Sequence, residues 1–121
     1  MELIRPDMNL SLPARAIADL TYAELVRMVE AILDTGTDGD VRSYYMAVID
    51  ATLPGAAVCD LIYHRHSWFR DDSYFDVGMS PTQMAAWLMA WTEKRLPGAE
   101  GVALPTIPES KRRGPPRVIF L

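Results

Sequence analysis

The sequence predicts a small all-α bundle. Two helix starts are marked by capping residues, Thr21 and Ser80, and three windows carry apolar residues at helical spacing. β signals are few and the links are short. With 121 residues, half of them apolar, the chain suffices for one hydrophobic core.

Residues 1–16 contain Pro6 and Pro13 and no period, so they read as an N-terminal arm lying across the domain. Thr21-Tyr22-Ala23-Glu24 is a capping box, in which hydroxyl and carboxylate satisfy each other's orphan backbone donors. Leu25, Val26, Met28, Val29, Ile32 and Leu33 follow, predicting a first helix from Tyr22 to Leu33. The Thr35–Asp40 segment is a loop by composition, with Asp38 or Asp40 able to cap a second helix. Val41, Tyr45, Val48, Ile49 and Leu53 are its apolar stripe, and Pro54-Gly55 ends it. Asp60-Leu61-Ile62-Tyr63 is too short for periodicity to choose between a strand and a helical turn. Residues 64–79 show no period. Ser80-Pro81 opens a third long helix with Met84, Trp87, Leu88 and Trp91 on one face, and Leu96-Pro97-Gly98 is its expected stop. Residues 101–121 form a Pro-rich basic extension that the fold is expected to spare, with Val118-Ile119-Phe120-Leu121 as the one part able to pack.

Charge is uneven. Residues 1–100 hold 15 acids and 8 bases, a net of −7, while 101–121 hold 1 acid and 4 bases, a net of +3. An acidic body disfavours direct contact with nucleic acid and favours a basic partner. No apolar run reaches the ~18 residues that span a bilayer, and no secretory signal pattern opens the chain. Cys59 is the single cysteine, which excludes an intrachain disulfide and suits a reducing cytoplasm.

Catalytic signals are sparse. His64 and His66, with Asp60, Asp71 and Asp72 near in sequence, could seed a metal site, but no third ligand stands at a motif spacing. The competing reading is two solvated histidines in a polar loop. Asp71-Asp72 as an acid/base pair competes with two adjacent carboxylates pointing apart into water. Cys59 reads as a small buried hydrophobe. Gly36 and Gly39 flank Asp38 in an acidic turn that would repel phosphate. The Met84/Trp87/Leu88/Trp91 stripe is a core face before it is a cofactor box, and Lys111-Arg112-Arg113 reads as a solvated terminus. The expectation is a protein without enzymatic activity, metal or cofactor.

Three segments together resemble one family. Ile17-Ala18-Asp19-Leu20-Thr21-Tyr22-Ala23-Glu24-Leu25, continuing to Val29, is similar to the opening helix of the immunity proteins to DNase colicins and S-type pyocins, which begin Ile-Ser-Asp-Tyr-Thr-Glu-Ala-Glu-Phe. Asp60-Leu61-Ile62-Tyr63 resembles the start of their Asp-Leu-Ile-Tyr-Tyr-Pro stretch. Asp71-Asp72-Ser73, then Ser80-Pro81 with Met84, Leu88 and Trp91, resembles the approach to their last helix and the helix itself, and Lys94-Arg95-Leu96-Pro97-Gly98 resembles its ending. The similarity covers about residues 15–100, so the bundle is placed at 17–100. Within it, His64 stands for the family's second tyrosine and Arg65 for its proline. The loop from Pro54 to Asp60 is two residues longer than the family's, and Tyr74–Met79 looks like an insertion.

The resemblance implies a four-helix bundle with a very short third helix around Asp60–Tyr63. It also implies a cytoplasmic, non-enzymatic inhibitor, monomeric when free and touching neither membrane nor nucleic acid. Its partner would be the nuclease domain of a cognate bacteriocin, bound beside the active site. In the family, helix two carries specificity and helix three carries shared affinity. By position these correspond to Asp60, Tyr63 and His64 on helix three, and to Asp40, Ser43, Ala47 and Asp50 on helix two, with Tyr44 at the edge. A core tyrosine is the competing reading of Tyr63. The rival functions are an acidic phage or plasmid adaptor or antitoxin, and a small metal-dependent hydrolase using His64 and His66.

Overall fold

A computed structural model describes residues 3–69 and 78–107. Asp71, Asp72, the Tyr74–Val77 part of the expected insertion, Lys111-Arg112-Arg113 and Val118–Leu121 therefore lie outside the described residues. The described chain is all-α, with five helices and no strand: α1 (Tyr22–Leu33), α2 (Gly39–Thr52), α3 (Val58–Tyr63), α4 (Arg65–Phe69) and α5 (Pro81–Thr92). None of these helices is long and apolar enough to cross a membrane.

Helix α1 spans the range that its cap and period predict. Thr21 accepts the Glu24 N–H and Glu24 accepts the Thr21 N–H, closing the capping box. Leu25, Met28, Val29 and Ile32 are buried, as the i, i+3, i+4, i+7 pattern requires. At the other end the Arg42 guanidinium reaches back from α2. It donates to the carbonyls of Ile32, Asp34 and Thr37 at 3.1, 3.1 and 2.9 Å, satisfying acceptors that the helix end leaves open. Asp38 caps α2 by accepting the Asp40 N–H at 2.8 Å, and Val41, Tyr45, Val48 and Ile49 turn inward.

Helix α3 is a single six-residue element, which resolves the strand-or-turn ambiguity at Asp60–Tyr63. A helix this short does not hold itself together in water. Its preceding residue, Ala57, is left-handed (φ 50, ψ 54) and offers no capping side chain. The cap comes from α2, where Asp50 Oδ1 accepts the Val58 N–H at 2.9 Å. Val58, Leu61 and Ile62 are buried beneath it.

Helix α4 falls in the stretch where the sequence shows no period, five residues being too few to carry one. Trp68 is fully buried and its indole N–H donates to the Ala56 carbonyl at 2.7 Å. Its ring lies 4.1 Å from that of Trp91, and Phe69 meets Trp87 edge-on at 4.7 Å. Helix α5 begins at Ser80 with a second capping box, closed by Gln83, and carries Pro81 in its first turn. It stops at Thr92, earlier than the expected Leu96-Pro97-Gly98, because Glu93 adopts a left-handed conformation (φ 56). Leu96 then folds back into the core, its N–H on the Met89 sulfur at 3.5 Å. Lys94 Nζ donates to the Thr52 carbonyl at 3.1 Å and ties this end to the end of α2. Helix α1 packs against both α2 and α5, and α3 against α2, α4 and α5.

The arm and the start of the extension are fastened to this framework. Arg5 contacts Asp7, Asp19 and Glu24 at 3.1, 2.9 and 3.1 Å, and the hydrogen bond to Asp7 is the foremost of the influences that raise its pKa. Ile4 donates to the hydroxyl of buried Tyr45, and Met8 enters the core. At the other end, Arg95 donates to the carbonyls of Ala99 and Val102. Ile107 is buried, and Val102 and Leu104 pack half-buried against the core.

Two stability experiments follow from this packing. Trp68→Phe leaves the Ala56 carbonyl without its donor and is expected to cost about 2 kcal/mol in denaturant unfolding. An unchanged midpoint would show that the indole hydrogen bond contributes nothing. Truncation after Gly101 removes Leu104 and Ile107 and is expected to cost about 2–4 kcal/mol, against the sequence expectation of a dispensable extension. Wild-type stability of the truncated chain would restore that expectation.

Candidate functional surface

The residues singled out on helix two lie on one open face. Asp40, Ser43, Ala47 and Asp50 are all exposed, joined by Gly39 and Ala51. No exposed lysine or arginine stands on α2 or α3. Arg42 is half-buried and committed to the α1 end. Tyr44 sits half-buried at the edge, and its hydroxyl accepts the Asn9 N–H of the arm at 3.2 Å, so part of its hydrogen-bonding capacity is already used within the chain.

On α3 the inward set Val58, Leu61 and Ile62 leaves Cys59, Asp60 and Tyr63 outward. Tyr63 is 51% exposed and is not a core tyrosine. Cys59 is exposed rather than buried, a correction that follows from the same helical register. Leu61 is fully buried, so its register neighbour two residues earlier turns toward water. Asp60 is half-buried. Exposed His64 ends the helix, its backbone N–H on the Asp60 carbonyl at 2.8 Å.

Helix α3 runs back along α2. Its start is fixed at Asp50, and Tyr63 at its end lines a recess of about 300 Å³ with Ile32, Leu33, Thr35 and Arg42. Leu33 is 37% exposed there, so an apolar and an aromatic side chain face the same opening. The sequence reading missed Leu33 as a surface residue because it continues the apolar run of α1, where only its position past Ile32 marks it as outward.

The electrostatics follow from the cap. Asp50 is open to solvent along one edge while its carboxyl turns toward the start of α3. Loss of water there pushes its pKa above the ordinary carboxylate value. The Val58 N–H opposes the shift, and the negative charge of Asp60 adds to it. Two carboxylates thus face each other's field with no cation between them on α2 or α3.

The histidines do not share one loop. His66 lies within α4 and is half-buried, whereas His64 is exposed between α3 and α4. Among the described residues no three His, Cys, Asp or Glu side chains gather to hold a metal ion. Asp71 and Asp72 are outside that set.

Because the raised Asp50 pKa belongs to the folded state, ionising this carboxyl lowers stability as pH rises from the ordinary carboxylate range through the raised value. Asp50→Asn keeps an oxygen for the Val58 N–H and removes the charge. It is expected to match or exceed wild-type stability at pH 7, with the advantage vanishing in acid where wild-type Asp50 is protonated. Asp50→Ala loses the cap and is expected to cost about 1 kcal/mol. Thermal unfolding of the three chains from pH 3 to 7 tests this, and a lower midpoint for Asp50→Asn at pH 7 would refute the sign.

No family model, no curated protein and no solved structure matches the chain.

Proposed function

We propose that this chain is a bacteriocin immunity protein, which binds the nuclease domain of a cognate toxin beside its active site and protects the producing cell from within its cytoplasm. One observation carries the reading: a six-residue helix buries Val58, Leu61 and Ile62 yet leaves Tyr63 51% exposed, next to the acidic face of α2. A half-exposed aromatic ring adds little to the stability of the free chain and is well suited to a partner, where a rigid ring buries much area at little entropic cost. On this reading α1, α2, α3 and α5 are the four helices of an immunity-type bundle, and α4 is an added turn.

Charge supports the same partner. Residues 19–76 hold 11 acids and 4 bases, a net of −7. A nuclease needs a basic surface to hold phosphates, so an acidic inhibitor is steered to it and DNA is repelled once it is bound. The Asp50–Asp60 repulsion has a role here: an arginine or lysine of the partner, placed between them, relieves a cost that the free chain bears. His64 and the exposed residues Asp40, Ser43 and Ala47 complete the surface, with Tyr44 at its margin.

The test is binding and inhibition of the nuclease domain encoded beside this chain's gene. Tyr63→Ala is expected to weaken binding by more than about 2 kcal/mol while leaving the unfolding midpoint nearly unchanged. Cys59, as the single cysteine, supplies a footprint: its alkylation is expected to slow when the nuclease is bound. Undiminished nuclease activity in the presence of excess chain would sink the proposal. If Tyr63→Ala binds like wild type, the surface lies elsewhere.

A further inference from the structure

Residues 108–121 oppose the rest of the chain in charge. They hold Lys111, Arg112, Arg113 and Arg117 against one acid, Glu109, and they carry the apolar run Val118-Ile119-Phe120-Leu121. The last described residue, Ile107, is buried and lines a recess of about 360 Å³ with Glu93, Lys94 and Leu104. Lys94 in turn donates to the Thr52 carbonyl, the last of α2. The basic segment therefore leaves the fold near the end of α2 that carries Asp50. Extended Pro-rich chain advances about 3.1 Å per residue, so Lys111 lies within about 12 Å of Ile107 and Val118 within about 34 Å. Helix α3, with six residues, covers only about 9 Å between its cap at Asp50 and Tyr63. Both ends of the α3 face are within reach of the segment.

We infer that residues 108–121 dock across the α2/α3 face of their own chain, with Lys111, Arg112 and Arg113 at Asp50 and Asp60 and the apolar run over Tyr63 and Leu33, and that they compete there with the nuclease. The competition rests on the proposed function; the docking does not. Charge selects the occupant. Arg5 already meets Asp7, Asp19 and Glu24, whereas no ion pair among the described residues takes up Asp40, Asp50 or Asp60. The cations nearest this face are half-buried and turned to the backbone: Arg42 donates to the carbonyls of Ile32, Asp34 and Thr37, and Arg65 to that of Ile62. A base set between Asp50 and Asp60 relieves their mutual repulsion. Beyond them, Tyr63 and Leu33 border the recess of about 300 Å³, which an uncharged run covers without placing a base against Arg42. Pro108, Pro115 and Pro116 reduce the freedom lost on docking. A tethered segment acts at an effective concentration of order mM, so weak contacts fill the face and a tighter partner still displaces them.

The test uses full chains throughout. A nitroxide on Cys59, the single cysteine and exposed on α3, broadens the backbone resonances of any segment held near it. Carbodiimide joins lysines to carboxylates, and Lys111 and Lys94 are the only lysines, so mass spectrometry maps the products directly. The expected result at low salt is broadening over residues 111–121, with Lys111 joined to Asp40, Asp50 or Asp60 of the same chain. Both signals are expected to fall at least about threefold in Arg112→Gln/Arg113→Gln and at about 1 M salt, where charges are screened beyond about 3 Å. Lys111 joined only to Glu93, to Glu100 or to a second copy overturns the inference, as does absent broadening. Should the label itself disturb the face, the cross-link on the unlabelled chain decides. Against the nuclease domain encoded beside the gene, Ile119→Ser/Phe120→Ser keeps the charge and is expected to bind at least about threefold tighter than wild type. Docking in the free chain without that gain overturns the competition and leaves the proposed function standing. Docking in a chain that binds no nuclease overturns the proposed function and the competition, while the docking stands. Loss of helicity in Ile119→Ser/Phe120→Ser places the apolar run in the core and overturns the inference.

Discussion

The indole of Trp68 holds together parts of the chain that have little local reason to stay in place. Its N–H takes the carbonyl of Ala56, in the link between α2 and α3, and its ring stacks obliquely on Trp91 of α5. Helices α3 and α4 contain only six and five residues, lengths at which helical hydrogen bonds do not offset the entropy of ordering. Both exist because tertiary contacts over-determine them. Asp50 caps α3 from one side, and the cluster of Trp68, Phe69, Trp87 and Trp91 clamps α4 against α5 on the other. The position of the outward face of α3, with Tyr63 on it, is thereby set by residues of α2, α4 and α5 rather than by α3 itself.

The same division explains what could be read from the sequence. Helix α1 was legible to its boundaries because Thr21, Glu24 and the Leu25/Met28/Val29/Ile32 pattern are local signals that agree. The start of α5 was legible for the same reason at Ser80, Pro81 and Gln83. Its end was not, because Glu93 takes up a left-handed conformation ordinarily given to glycine, and Leu96 is drawn inward past the helix terminus. Helix α4 was invisible because Trp68 and Phe69 are organised by aromatic rings on α5, far along the chain. The outward set on α2 followed from the wheel alone. For α3 the wheel needed one further fact, that Leu61 and Ile62 point inward, and without it Cys59 was placed on the wrong side. The inward-turned Asp50 carboxyl has no sequence signature, since it depends on how the Ala57 turn brings Val58 beneath it.

Stability and surface chemistry pull apart on the α2/α3 face. Asp50 caps a helix and in doing so loses water beside a second carboxylate. Tyr63 and Leu33 leave apolar surface open around a recess that the core does not use. Away from this face, reciprocal caps close the starts of α1 and α5, Lys94 meets the last carbonyl of α2, and Arg42 takes the Ile32 carbonyl near the end of α1. The Asp50 cap and the Tyr63/Leu33 opening gather on this face, whereas the left-handed Glu93 stands apart at the end of α5.

The left-handed backbone of Ala57 bears on how firmly α3 is aimed. An L-residue there carries a steric cost of roughly 1–2 kcal/mol that glycine would relieve. Glycine would also loosen the pivot of a helix whose first turn hangs on one carboxylate. Alanine restricts that swivel. The angular spread of α3, and of exposed Tyr63 at its end, narrows with it. A modest local strain in the hinge thus converts into stiffness at the tip, and residue 57 becomes a position where rigidity of the exposed helix can be varied without altering any side chain that faces outward.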